Sequence, residues 1–136
     1  MTSQLNPYLT FDGNAREAME FYQAVFGGEL RISTFGEFGG TDPAIIDKVM
    51  HASLTTDQGY TLMASDNAPG MPFTPGNTIT CSLSGDPGDG LEQMWEQLAD
   101  GGTVTMPFEK QIWGDLYGLC VDRFGVPWMV DVSQPE

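Results

Sequence analysis

The sequence predicts an α+β chain in which one unit occurs twice, each time as a strand, a helix and three further strands. Three observations carry this. Apolar residues step by one, three and four along 15–26 and again along 91–98, the spacing of one buried helix face. Each helical stretch stops at a glycine pair, Gly27-Gly28 and Gly101-Gly102. Each half closes with a hairpin whose turn carries a glycine, Gly59 and Gly125.

The elements follow in order. Residues 7–11 alternate and read as a strand, which Asp12-Gly13-Asn14 breaks. Asn14 is placed to cap the first helix, with Glu17 in the capping-box position. Ala18, Met19, Tyr22, Val25 and Phe26 form its apolar stripe. Residues 29–35 read as a strand, 36–47 as a loop, and 49–55 and 60–65 as strands joined by Asp57-Gln58-Gly59. The first module therefore covers about 1–66, and the Pro- and Gly-rich stretch 67–77 reads as a linker. The second module, 78–136, reads as a strand at 78–83, a helix striped by Leu91, Met94, Trp95 and Leu98, and strands at 103–106, 117–121 and 126–132. Aligning the halves sets Phe11-Asp12-Gly13 against Leu83-Ser84-Gly85 and Leu62-Met63 against Trp128-Met129. One helix covers only one face of a four-stranded sheet, so the other face must be lined by the second half, a partner chain or a ligand.

Composition narrows the function. The 136 residues suit one compact domain or two small modules. Five Lys and Arg against 19 Asp and Glu repel phosphate backbones and anionic lipid, so neither nucleic acid nor membrane is an expected partner. No stretch approaches a membrane span, and the N-terminus has no signal-peptide pattern, which points to the cytoplasm. Cys81 and Cys120 read as buried, reduced thiols, although spacing alone leaves a disulfide open. No GxGxxG, Walker loop, GxSxG or CxxC occurs.

Several motifs carry a family resemblance. They are Pro7-Tyr8-Leu9-Thr10-Phe11, Ala18 with Phe21-Tyr22, Phe26-Gly27, His51-Ala52-Ser53-Leu54 and Leu62-Met63-Ala64-Ser65-Asp66. Trp113-Gly114-Asp115 with Tyr117-Gly118, and Asp122-Arg123-Phe124-Gly125 with Trp128, complete the set. In order and spacing the chain resembles the PhnB-like branch of the vicinal oxygen chelate superfamily (glyoxalase I, bleomycin resistance proteins, extradiol dioxygenases). That branch is often labelled 3-demethylubiquinone methyltransferase-like. The resemblance implies two βαβββ modules whose curved sheets enclose a cup, commonly in a homodimer. It implies little about chemistry, because the fold hosts enzymes and pure binders. The methyltransferase label finds no glycine-rich nucleotide loop after the first strand.

Active members of the superfamily hold a divalent metal at slots on the first and last strands of each module. Here alternation puts Leu9, Phe11, Ile79, Cys81 and Leu83 toward the helices. Tyr8, Thr10, Thr78, Thr80 and Ser82 then face the cup, with Met63 and Met129 on the returning strands. None is His, Asp or Glu, and the chain has one histidine, so no catalytic metal and no other cofactor is expected. The mixture of hydroxyls, thioethers and rings suits a small-molecule site instead. The candidate ligand-binding residues are Tyr8, Met63, Thr78, Thr80, Trp113, Tyr117 and Met129. His51, on a face with Ser53 and Thr55, is the candidate for proton transfer. Asp66 reads as a cap on the loop after it, and Asp115 as solvated or paired with a backbone amide. Three functions remain: a metal-free binder, a metal- or His51-dependent lyase, isomerase or transferase, and a scaffold without ligand.

Overall fold

The computed structural model describes residues 3–68 and 70–134. Its contacts divide the chain into two units, Met1–Thr74 and Pro75–Glu136. The first holds β1 (Tyr8–Phe11), α1 (Ala15–Phe26), β2 (Glu29–Thr34), β3 (Val49–Thr55) and β4 (Thr61–Asp66). The second holds β5 (Cys81–Gly85), α2 (Leu91–Ala99), β6 (Thr103–Lys110), β7 (Leu116–Val121) and β8 (Pro127–Val132). The sheets have the same topology, β1-β4-β3-β2 and β5-β8-β7-β6. In each, the first and last strands pair in parallel and the others antiparallel. Each unit is thus βαβββ, as the sequence predicts.

The cores follow from amphipathic spacing. In α1 the stripe Ala15, Ala18, Met19, Tyr22, Val25 and Phe26 is buried against the sheet, where Ala52, Leu54, Leu62 and Ala64 receive it. In α2, Leu91, Met94, Trp95 and Leu98 pack onto Leu83, Cys120, Trp128 and Val130. Trp95 stacks on Phe108 with ring centroids 5.4 Å apart. A Cβ on Gly118 would lie 2.9 Å from Trp95 Cη2, so that position must stay bare for the indole to reach the sheet.

The repeat extends to single hydrogen bonds. Thr56 N donates to Tyr60 O at 3.0 Å and Gly59 N to Thr56 O at 3.0 Å. In the second hairpin Asp122 N donates to Val126 O at 2.9 Å and Gly125 N to Asp122 O at 3.0 Å. After the helices, a Cβ on Gly28 would lie 2.3 Å from Thr55 O, and one on Gly102 would lie 2.2 Å from Val121 O. The first strands, however, align differently from the sequence reading. Phe11 pairs with Asp66 and Gly85 with Val132, so Phe11 corresponds to Gly85, not to Leu83. β5 consequently starts at Cys81, and Thr78, Ile79 and Thr80 precede it, all exposed. β6 is also longer than expected and carries two register shifts.

Helix α1 is capped from a distance. Asn14 makes no side-chain capping bond. Asp66, at the end of β4 and 5 % exposed, accepts instead. Its Oδ1 receives Gly13 N at 3.1 Å and Ala15 N at 2.9 Å, and its Oδ2 receives Val49 N at 2.9 Å. The residue read as a cap on the following loop therefore caps the helix before it. In the second unit the buried Asp122 serves the hairpin: Oδ1 receives Phe124 N and Val126 N, and Oδ2 receives the Trp128 indole N–H at 2.8 Å.

Cys81 and Cys120 both pair with Trp128, from opposite sides of β8. Two strand spacings put their Cα atoms roughly 9.6 Å apart, beyond the ~7 Å reach of a disulfide. Burial, and then the negative charge of Asp122, push both thiols up to about 11.

Two outcomes are predicted. Asp66→Ala, which strands two buried N–H groups and a third that is partly buried, lowers stability by about 2 kcal/mol or more in urea unfolding; a loss below about 1 kcal/mol would contradict the clamp. At pH 8 the native thiols react with Ellman's reagent at least ~10-fold more slowly than free cysteine, and both react at once in guanidinium. Prompt reaction of either in the native protein would contradict the raised thiol values.

Candidate functional site

In the first unit, the sheet face turned away from α1 carries polar and thioether side chains. Pairing sets Tyr8, Met63, Ser53 and Arg31 in one row across the four strands. His51 reaches the same face through a bulge. Thr34 pairs with Val49 and Ser33 with His51, leaving Met50 as the extra residue. Val49 is accordingly buried under the helix at 1 % exposure, while His51 turns to the open side with Ser53. There Tyr8 Oη lies 3.0 Å from His51 Nδ1, with the rings 5.7 Å apart and tilted by 31°. The tyrosine is half exposed. The Arg31 guanidinium pairs with Glu29 at 3.0 Å, both well exposed. Three residues singled out in the sequence, Tyr8, Met63 and His51, are thus neighbours on one open face.

In the second unit, Met129 pairs with Ser82 on one side and Leu119 on the other, and Asp131 pairs with Ser84 and Tyr117. The Trp113 ring meets Tyr117 edge-on at 5.3 Å and is 55 % exposed. Its turn is closed by Gln111 N donating to Asp115 O and Gly114 N to Gln111 O, both at 2.9 Å. Met129, Tyr117 and Trp113 therefore belong to one open face. Thr78 and Thr80 do not lie on it as strand residues. The two-residue change in register makes Ser82 the partner of Met129, the place Tyr8 occupies beside Met63.

Asp131 was missed by the sequence reading, although alternation from Met129 places it on the same face. Burial holds its carboxyl above the usual carboxylate range, and the hydrogen bond with Asp115 and that residue's negative charge add to the effect. Its Oδ1 is buried without a hydrogen-bond partner. Asp115 is thereby the acidic neighbour of Asp131 on this face.

The donor chemistry at the slots where the resemblance implies a metal does not suit a divalent ion. Tyr8, Met63, Ser82 and Met129 offer phenol, thioether and hydroxyl. Among the described residues no three His, Cys, Asp or Glu side chains come together to hold an ion.

With the fold and both faces in view, comparison with known proteins places the chain. Residues 3–131 match the family described as 3-demethylubiquinone-9 3-methyltransferase. The chain belongs to that family. Among solved structures, the family member is similar to protein PA1353 from Pseudomonas aeruginosa, at 38 % identity and a TM-score of 0.88, covering 98 % of this chain and 100 % of that one. A PhnB protein from Bacillus cereus is 26 % identical, with a TM-score of 0.74 over 96 % of this chain and 100 % of that one. A glyoxalase/bleomycin resistance protein/dioxygenase domain from Frankia sp. EAN1pec is 14 % identical, with a TM-score of 0.66 over 98 % and 99 % of the two chains, a likeness of fold alone. The fold is that of the PhnB-like vicinal oxygen chelate proteins.

The Asp131 environment gives a pH prediction. A carboxyl whose folded value lies above its ordinary one contributes stability below the ordinary carboxylate range, and that contribution is lost as pH rises through the raised value. Asp131→Asn removes this step, so at pH 7 it melts above the native protein, with little difference near pH 3. Equal melting temperatures at pH 7 would contradict the account.

Proposed function

We propose that this protein binds a small, partly apolar molecule on its open sheet faces, without a catalytic metal, as a cytoplasmic homodimer. The observation that carries the reading is the first open face, where the Tyr8–His51 pair stands beside the Met63 thioether. A polar pair set against adaptable apolar surface is how small-molecule sites orient a guest. Trp113, Tyr117 and Met129 give the second face a similar apolar character. Of the three only the Trp113 ring is exposed, and a guest seated beside it would cover apolar area. The donor chemistry at the strand-end slots supports a metal-free site. Among the described residues no helix is long and apolar enough to cross a membrane.

A second reading, an enzyme using His51, draws on the same Tyr8–His51 contact. Family membership alone does not choose between them, because the fold hosts unrelated chemistries. The family's description names a methyl transfer, yet β1 runs into Asp12-Gly13-Asn14 and not into a glycine-rich nucleotide loop.

The experiment is a screen of small ketones, amides and aromatic fragments by NMR. Hits that shift Tyr8, His51 or Met63 signals saturably, and that bind Tyr8→Ala at least ~5-fold more weakly, support the reading. A screen in which no compound moves any open-face signal moves the scaffold reading to the front. Light scattering at micromolar concentration gives the mass of a dimer, and elemental analysis of protein purified without added metal gives far less than one divalent ion per chain. A monomer, or one full equivalent of metal, would each overturn its part.

A further inference from the structure

We infer that Tyr8 is a positioning residue that holds His51 as its Nε2–H tautomer, so that the first open face selects its ligand through a carbonyl-type oxygen. This rests on the reading that the face binds a small molecule.

The argument starts from the single contact between the two rings. A neutral imidazole has one N–H and one lone pair, and the partner of one nitrogen decides which is which. Tyr8 Oη lies 3.0 Å from Nδ1. A phenol hydroxyl is a good donor and its oxygen a poor acceptor, whereas the bare imidazole nitrogen is a good acceptor. The hydroxyl therefore donates to Nδ1, and the imidazole hydrogen sits on Nε2. Both partners are held in place. Tyr8 is a strand residue paired with Met63, and the Met50 bulge aims His51 at it. Among the described residues no carboxylate lies within ion-pair distance of His51, and none hydrogen-bonds Nε2.

Two consequences follow. The nitrogen left for a ligand is a donor, not a base, so His51 in this arrangement does not abstract a proton. Its use is to hold or polarise an oxygen, as neutral histidines can. The guest is then a ketone, amide or ester whose oxygen accepts from Nε2–H while its apolar body lies against Met63.

The chain's single histidine makes the test unambiguous. Untagged protein labelled with 15N-histidine is examined by long-range 1H–15N correlation at a pH where the ring is neutral. One tautomer, Nε2–H, in the native protein and a mixture in Tyr8→Phe supports the inference. The Nδ1–H form, a mixture in the native protein, or an unchanged pattern in Tyr8→Phe overturns it. Phenylalanine keeps the half-exposed ring, so the fold is preserved. The ligand arm compares cyclohexanone with methylenecyclohexane, a similar shape without the oxygen. Saturable movement of Nε2 by cyclohexanone only, weaker in Tyr8→Phe by up to about 2-fold as the Nε2–H population falls, supports the selection. Equal binding of both probes, or shifts confined to residues other than His51, overturns the selection but leaves the small-molecule reading standing. Absence of any shift from either probe overturns the selection as well, the fragment screen then judges the small-molecule reading, and the tautomer result still judges Tyr8.

Discussion

Three backbone N–H groups converge on the buried carboxylate of Asp66, and the arrangement of the first open face follows from them. The donors come from the turn before α1, from the first residue of α1 and from the first residue of β3. Burying a carboxylate is costly unless hydrogen bonds replace its hydration, and these three do so. With Asp66 held under the helix, strand alternation sends Ser65 and Met63 to the other side. The parallel pairing of Phe11 with Asp66 sends Tyr8 the same way. Val49, tied to Oδ2, stays beneath the helix, and the Met50 bulge then reverses the phase so that His51 faces outward. One carboxylate thus fixes which face each member of the Tyr8–Met63–His51 group occupies.

The second unit repeats the topology without this clamp. Val132 stands where Asp66 stands in the first unit, and the buried acid is Asp122, inside the hairpin. Thr56 holds the equivalent turn in the first unit with its hydroxyl. The buried acid has therefore moved from the helix N-terminus to the hairpin, while the helix–sheet packing and the post-helix glycines kept their places. The open faces diverged as well. The first presents an imidazole and hydroxyls, and the second presents aromatic rings with a carboxyl held toward its neutral form by burial and then by Asp115.

Much of the fold was legible because it rests on local signals. Helix α1 runs over Ala15–Phe26, as its apolar spacing indicates, and β3 over Val49–Thr55. The assignment of Tyr8 to the open face survives because strand periodicity is two. For the same reason the error in aligning Phe11 with Leu83, itself a shift of two, kept Ser82 on the correct face while misplacing Thr78 and Thr80. What was not legible depends on contacts between distant residues. Asn14 has the right composition for a cap, but Asp66 outcompetes it by reaching across from β4. The Met50 bulge has no sequence signature, and the nearness of Asp115 to Asp131 depends on the pairing of β7 with β8.

The central claim is that this clamp-set geometry turns Tyr8, Met63 and His51 toward a guest instead of into a packed core. A crystal structure of protein taken directly from cell extract tests it most directly. The account predicts density for a small molecule, or for ordered waters in its place, with an oxygen within hydrogen-bond distance of His51 Nε2. Tyr8, Met63 and His51 interlocked with other side chains, with no space for even a few waters, would contradict it.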